Sequence, residues 1–556
     1  MPRRSHSLMN MGAALAALLV ITQPTPTPAQ GLGMDEEVSV IVTLADQVSP
    51  SDFAGPDMPR GRLRARLITA LKAKAGATQG PLVAFLNGRG ASRVVPLWLI
   101  NGLAVTAPAE VIEELARFPE IESIRPDARI KEPPSTQGTA AAEWNLDMVG
   151  APQMWTAGYT GSGIVVANLD TGVDAYHQDL ASRWRGGSNS WFDPNGQHAT
   201  PYDRTGHGTG TMGVLVGGDA GGTAIGMAPD AQWIAVKIFN DAGTASLSAI
   251  HQGFQWVLDP DGNPATDDAA DVVSNSWGFE QSAGTCYQEF EPDLEVLKAA
   301  GIAVVFSAGN VGPYASTSVS PANNPEGYAV GAVDDTGTVA DFSSRGPSAC
   351  DGSIYPQVVA PGVSVTTADL TFGGVFPDSY VSVSGTSFAA PHVAGAMALL
   401  AGAHPEATVA DLEQALTDTA VDLGDGGPDD ETGYGLIDVV AADTWLASLP
   451  GDPPPPANLP PVANDDAAQT RRNKRLANFS VVANDVDPDG TIDVATVVIT
   501  SGQTTSQGGR VTAKSDGTVT YTPKKKFIGT DSFTYVVNDD GGATSNVALV
   551  EVQVVP

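Results

Sequence analysis

Between about Trp144 and Leu449 the chain repeats one pattern, in which a short apolar run of strand length closes at a glycine or a small polar residue and a helix-like stretch follows. Ile164 to Leu169, Trp233 to Ile238, Asp271 to Ser274 and Ala303 to Ser307 are such runs. Strands separated by helical segments predict a parallel α/β sheet. In such a sheet, binding and catalytic groups gather at the carboxyl ends of the strands. That rule directs attention to the residues just after each apolar run.

The flanks of this region read differently. Arg3 and Arg4 precede the apolar run Met11 to Ile21, and Pro and Thr follow and then the small residue Ala29, so residues 1–29 have the pattern of a secretory signal peptide. The apolar run is too short to span a bilayer, and no later stretch offers about 18 uninterrupted apolar residues, so a mature chain without a transmembrane segment is expected outside the cell. Residues 30–140 form a small α+β unit: Val38, Val40, Val42 and Leu44 include an alternating face, Trp98 to Val105 reads as strand, Val111, Ile112, Leu115 and Phe118 have helical spacing, and Ile121 to Ile124 resumes as strand. An exposed linker follows at Lys131 to Gly138. Residues 141–449 hold the α/β region, and the proline-rich 450–460 predicts a stiff spacer. In 461–556, the runs Gly517 to Tyr521, Phe533 to Val537 and Val547 to Val554 alternate with Asp/Gly turns, as in a β-sandwich.

Charge narrows the partners. With 63 acidic against 29 basic residues the formal charge is −34, which repels nucleic acid and anionic membrane. The two cysteines, Cys286 and Cys350, read as a disulfide outside the cytoplasm, with two buried thiols as the alternative. Closing that loop would stabilise the fold by roughly 4 kcal/mol in the chain-entropy treatment.

Amide hydrolysis by a hydroxyl needs a base, a group that orients the base, and donors for the oxyanion. Each is present beside a strand or helix end. Asn168-Leu169-Asp170-Thr171-Gly172 puts Asp170 where an apolar strand turns, Thr205-Gly206-His207-Gly208-Thr209-Gly210 sets a histidine between glycines, and Ser307-Ala308-Gly309-Asn310 ends a strand with a carboxamide. Ser387, in Ser384-Gly385-Thr386-Ser387-Phe388-Ala389-Ala390-Pro391-His392, opens a helix-like run whose N–H groups favour negative charge. Singly these are an N-cap, a turn residue and loop residues.

Jointly, in the order Asp170, His207, Asn310, Ser387, they resemble the subtilisin-like serine peptidases. Gly226-Met227-Ala228-Pro229, Ser274-Asn275-Ser276-Trp277-Gly278, Phe342 to Pro347 and Val359-Ala360-Pro361-Gly362 extend the likeness over roughly residues 144–445. The resemblance implies a secreted serine endopeptidase with a subtilisin-like parallel-sheet catalytic domain acting on proteins and peptides. It implies Ser387 as nucleophile, His207 as general base and then acid, Asp170 as the orienting carboxylate, and Asn310 with the Ser387 N–H as the oxyanion hole. It implies that Ser276, Trp277 and Gly278 line the substrate groove, that Ser307, Ala308 and Gly309 form a pocket wall, and that Val319 lies near the pocket floor and restricts large P1 side chains. Trp277 could instead fill core. Two positions depart from the family pattern: Phe388 where Met is common, and Gly210-Thr211-Met212 in place of His-Val-Ala.

By the same resemblance residues 30–140 are the inhibitory propeptide, a folding template removed by self-cleavage around residues 131–143. A monomer is expected. No cofactor is required for the chemistry. Structural calcium is an expectation at Asp179, a family ligand position, although the loop Gly218 to Ala224 lacks the usual Asn. Residues 461–556 resemble bacterial Ig-like and cadherin-like modules through Pro461 to Asp466 and Phe527 to Tyr535, with no ligand indicated. Asp485-Val486-Asp487-Pro488-Asp489-Gly490 begins like a calcium loop but lacks the closing glutamate, and reads as a solvated acidic turn. His392 reads as structural, His177 as a turn residue, and His198, His251 and His404 carry no catalytic context. Two other readings remain: an adhesion or matrix protein with an inactive protease-like domain, and an aspartic protease built on Asp170-Thr171-Gly172 and Asp335-Thr336-Gly337.

Overall fold

A computed structural model describes residues 37–53, 58–133, 136–137 (backbone only), 144–424, 426–449, 460–487, 492–539 and 543–556. The signal-peptide pattern, residues 138–143 and all but the last residue of the proline spacer lie outside the described residues. The chain divides into two compact units, residues 1–449 and 450–556.

In the first unit the predicted apolar runs form one seven-stranded sheet. Its spatial order is Val358–Pro361, Tyr328–Val333, Ala303–Ser307, Val272–Asn275, Val165–Asp170, Gln232–Lys237 and Trp191–Phe192, and every pairing is parallel. Both faces are covered, which is why the strands are apolar almost throughout. Val166, Val272, Val305 and Val330 meet the helices His207–Val216 and Thr386–Ala403 on one face. Ala167, Leu169, Val273, Val304 and Phe306 meet the helices Leu247–Leu258 and Glu291–Ala299 on the other. Strand Val165–Asp170 lies where the strand order reverses, so its carboxyl end opens into the crevice where α/β sheets place their sites. Among the described residues, only helix Thr386–Ala403 is long and apolar enough to cross a membrane, and it is 89% buried in this core.

Residues 37–126 build a four-stranded antiparallel sheet, ordered Arg93–Leu97, Gly102–Pro108, Glu37–Leu44, Ile121–Pro126, with helices Arg60–Gly88 and Ala109–Leu115. The expected strand over Trp98–Val105 starts later. Trp98 to Ile100 turn, and Asn101 adopts a left-handed φ of 39° with its carboxamide bonded to the Asp46 carbonyl at 2.8 Å. The long helix Arg60–Gly88 went unread in the sequence, although Leu67, Leu71, Ala75, Leu82 and Leu86 mark its buried face.

This N-terminal segment docks on the outer helices of the larger sheet through apolar packing, where Leu67, Ile68, Leu71 and Ile100 join the cluster of Ile250, Phe254 and Leu294, and through charge. Arg64 is almost fully buried there, bonding Asp267 at 3.0 Å, Asp271 at 3.1 Å and the carbonyls of Ala300 and Ala270. Arg60 adds a contact to Asp271 at 3.3 Å, and Arg125 one to Glu289 at 2.9 Å.

Cys286 and Cys350 are joined in a disulfide, with Cα atoms 4.8 Å apart. The second unit stacks sheet Asp466–Arg471, Ala548–Val555, Gly529–Asp539, Ile492–Ile499 on sheet Leu476–Ser480, Thr518–Thr522, Arg510–Ala513. Phe533, Tyr535 and Val537 alternate inward with Val550, Val552 and Val554. Asp485, expected to be solvated, is only half exposed: the Tyr535 hydroxyl donates to it at 2.8 Å and the Asn464 N–H at 2.8 Å. Pro488 to Gly490 lie outside the described residues.

Replacing Arg64 by Ala leaves Asp271 with only the longer Arg60 contact as its cation and removes the guanidinium donors to the Ala300 and Ala270 carbonyls. The full-length chain is expected to lose about 2–5 kcal/mol of stability, read as a lower midpoint in denaturant.

Candidate active site

Asp170 ends its strand and His207 opens a helix, and the two meet because the backbone between them carries no obstruction. A Cβ on Gly208 would stand 2.2 Å from the Gly172 carbonyl oxygen and 3.0 Å from the Asp170 Cβ, so only glycine lets this helix reach the strand end. Gly206, at φ 86°, makes the turn into the helix. The contact is pinned by side chains: Thr171 Oγ1 accepts from the Gly208 N–H at 2.9 Å and donates to Asp203 Oδ1 at 2.9 Å, while Asp203 Oδ2 accepts from the N–H and hydroxyl of Thr209. Asp203 was not singled out from the sequence. Its signal was available, a carboxylate four residues before a helix start, where the free N–H groups favour an acceptor.

The outcome is a 2.7 Å hydrogen bond between His207 Nδ1 and Asp170 Oδ1. Both side chains are almost fully enclosed. Burial works against the imidazolium, yet the charge and hydrogen bond of Asp170, with Asp203 and Glu132 behind it, hold the His207 pKa above its ordinary value. His207 Nε2 is buried without a hydrogen-bond partner. Ser387 sits in the first turn of helix Thr386–Ala403, where its Oγ donates to the Ser276 carbonyl at 3.3 Å, and the Ser276 hydroxyl donates to the Ser387 carbonyl at 2.7 Å.

The two departures from the family pattern prove to be one packing arrangement. The Phe388 ring lies 5.7 Å from the His207 ring, and a Cβ on Gly210 would come within 3.2 Å of Phe388 Cε1. The smaller residue after the histidine makes room for the larger one after the serine.

Asn310 is held by both ends of its carboxamide. Its Oδ1 accepts from the N–H and hydroxyl of Thr386, at 2.9 and 3.0 Å, and its Nδ2 donates to Glu280 Oε1 at 3.0 Å. The same Glu280 oxygen accepts from the Asn310 N–H at 2.9 Å. Nothing in the local sequence marks Glu280, which reaches this place from a loop 30 residues away.

The expected groove residues divide. Val319 is fully buried between two glycines, its methyl carbons 2.6 Å from where a Cβ on Gly278 or on Gly309 would lie, so it fills the space they leave. Ser307 ends its strand, and the Ala308 carbonyl accepts from the Tyr355 hydroxyl at 2.5 Å. The Trp277 indole does not face a groove. It is 1% exposed and packs edge-on against Phe290 and Phe306, the core alternative.

At Asp179 both carboxylate oxygens accept hydrogens, Oδ1 from the Ala220 N–H at 2.7 Å and Oδ2 from the Tyr380 hydroxyl at 2.5 Å. These two donors hold the carboxylate in place between the Gly218 to Ala224 loop and Tyr380. His177 caps the short helix after it, accepting from the Asp179 N–H. His392 is buried between Asn145 and the Phe388 carbonyl, and burial pushes its pKa down to about 4. His251 is buried against Asp293 and Glu289; desolvation opposes its charge, but the two carboxylates raise its pKa to about 9. Asp335 lies exposed on a turn while Asp170 is bonded to His207, so the two share no proton and the aspartic-protease reading falls.

The N-terminal segment reaches this site. Arg129–Lys131 pairs antiparallel with Thr244–Ser246, the Glu132 N–H donates to the Gly243 carbonyl at 3.0 Å, and Thr136–Gln137 pairs with Val383–Ser384, close before Ser387. Burial, and then the charge of Asp170, raise the Glu132 pKa.

Comparison with known proteins agrees with this geometry. The Subtilase family profile matches residues 161–435, and the bacterial cadherin-like domain profile matches residues 458–556. Bacillopeptidase F of Bacillus subtilis (strain 168) is 35% identical over 424 residues, which cover 68% of this chain and 29% of that relative; the chain therefore spans under a third of it. Subtilisin E of the same organism is 33% identical over 346 residues, covering 62% of this chain and 81% of the relative. An alkaline protease of Alkalihalobacillus alcalophilus is 33% identical over 340 residues, covering 61% and 78%. With a parallel sheet that brings its motif residues to the strand ends and a subtilisin matched at 33% identity over 81% of its length, the chain belongs to the subtilase family of serine peptidases.

Proposed function

We propose that the protein is a secreted serine endopeptidase that cleaves proteins and peptides through Asp170, His207 and Ser387, and is made as a precursor that processes itself. The observation that carries this reading is the buried His207, bonded to Asp170 through Nδ1 with Nε2 left unpartnered. A buried nitrogen without a partner is costly unless a group arrives to use it. In the proposed reaction the Ser387 hydroxyl leaves the Ser276 carbonyl, gives its proton to Nε2, and attacks the substrate carbonyl carbon. The imidazolium then returns that proton to the leaving amine as the C–N bond breaks, leaving an acyl group on Ser387. Water releases the acyl group by the same route, with His207 taking its proton. Asp170 holds the tautomer with the proton on Nδ1 and stabilises the imidazolium.

The developing oxyanion would be met by the Ser387 N–H and by Asn310 Nδ2, which must exchange Glu280 for the substrate oxygen. Thr386 keeps the carboxamide oriented during that exchange. Val319, between Gly278 and Gly309, favours small P1 side chains. Residues 30–140 would act as propeptide and inhibitor, a role supported by the strand pairing of Arg129–Lys131 beside the site.

A serine-directed phosphonate is expected to label Ser387 and stop peptide hydrolysis, and the Ser387→Ala protein to accumulate with its N-terminal segment attached. Hydrolysis that survives complete labelling would sink the mechanism. Because the base must be neutral and its pKa is raised, kcat/KM should fall as pH drops through a midpoint above the ordinary histidine value of about 6.5. A profile flat from pH ~8 to ~4 in folded enzyme would contradict a histidine base. Asn310→Leu should lower kcat about 10²–10³-fold with little change in KM, the magnitude known for this donor in subtilisins. Unchanged turnover in the folded variant would remove Asn310 from the mechanism.

A further inference from the structure

The loop joining helix Leu247–Leu258 to strand Val272–Asn275 reads Asp259-Pro260-Asp261-Gly262-Asn263-Pro264-Ala265-Thr266-Asp267-Asp268. Carboxylate oxygens of Asp259, Asp261 and Asp268 lie within 4.8 Å of one another. The Asp259 side chain is 1% exposed, and its Oδ1 is buried with no hydrogen-bond partner; Asp268 Oδ1 is in the same condition. A buried carboxylate oxygen left unpaired in this way demands a cation.

One is supplied. Lys72, on helix Arg60–Gly88 of the N-terminal segment, puts its ammonium on Asp259 Oδ2 and donates to the Gly262 carbonyl at 2.8 Å. Arg64 and Arg60 of the same helix neutralise Asp267 and Asp271 at the end of the loop. On the loop's other side, Arg185 bonds the Asp268 carbonyl and Asn189 the Asp268 Oδ2, so Arg185 is the cation there that belongs to the α/β region itself.

We propose that this loop is a calcium site, and that the Lys72 ammonium takes the ion's place while the N-terminal segment is docked. The donors are oxygens only, three carboxylates and a main-chain carbonyl, the set that suits a hard cation. Bonds of 2.3–2.6 Å let calcium bridge oxygens up to about 4.6–5.2 Å apart, whereas magnesium, at 2.0–2.1 Å, reaches about 4.0–4.2 Å. When the segment leaves, three basic side chains leave with it, and a divalent ion restores the charge that Asp259 and its neighbours lose. The exchange of lysine for calcium rests on the precursor reading above; the site itself does not.

The test uses the full-length Ser387→Ala chain, shown intact by mass, titrated with calcium chloride in a calorimeter beside the same chain carrying Lys72→Met. Calcium must displace Lys72 in the parent, so the Lys72→Met chain is expected to gain one calcium-binding event per chain, or to bind about tenfold or more tightly at that step. Adding Asp259→Asn and Asp268→Asn should abolish the gain. Those residues are enclosed, so exposed Asp261→Asn serves as the second variant and should weaken the same step while the chain stays folded by circular dichroism. Identical titrations of parent and Lys72→Met would overturn the proposal, as would a gain that persists through the aspartate replacements. If mass shows the Ser387→Ala chain still cut, the precursor reading fails while the calcium titration still judges the site.

Discussion

The Asp170–His207 hydrogen bond is the contact on which the rest of the active region depends. It joins the carboxyl end of a central strand to the start of a helix, and the two can meet because Gly208 carries no side chain that would hold them apart. Asp203 and Thr171 then lock the first turn of that helix against the strand. The geometry is thus set by backbone approach first and by side-chain hydrogen bonds second. Enclosure follows, and enclosure makes the carboxylate matter: in a site shut off from water its charge outweighs the burial that would otherwise discharge the histidine.

The N-terminal segment is tied to the larger sheet by cations set on the acidic surface of its outer helices and loops. In a chain of formal charge −34, Arg60, Arg64, Lys72 and Arg125 stand where they neutralise carboxylates that would otherwise repel one another. Such a contact is strong while it lasts and leaves an unbalanced acidic surface when it ends. Beside these charges the contact is apolar, with Leu67, Ile68 and Leu71 continuing the cluster in which Val304, Phe306, Phe254 and Leu294 meet.

Several residues changed meaning once their neighbours were known. Gly210 and Phe388, read as two unrelated departures, share one volume beside His207. Trp277 stands in a motif that borders a groove, yet its indole belongs to an aromatic cluster with Phe290 and Phe306. Asp179 stands in the short helix that His177 caps, and its carboxylate is held by the Tyr380 hydroxyl, 201 residues further along the chain.

The sequence alone marked the parallel sheet, the sandwich in residues 461–556, and Asp170, His207, Asn310 and Ser387 as candidate site residues. The sheet and the sandwich rest on local patterns of apolar runs of strand length, and the four residues on the resemblance of their joint order and motifs to one family. The helix Arg60–Gly88 was legible by the same means, through Leu67, Leu71, Leu82 and Leu86, because helical spacing is also local. Tertiary structure decided the rest. Glu280 on Asn310, Tyr380 on Asp179 and Lys72 on Asp259 are single polar side chains with no periodicity, brought in from 30, 201 and 187 residues away. Such partners are chosen by the need of a buried donor or acceptor for any group that the completed fold delivers, and that need has no signature along the chain.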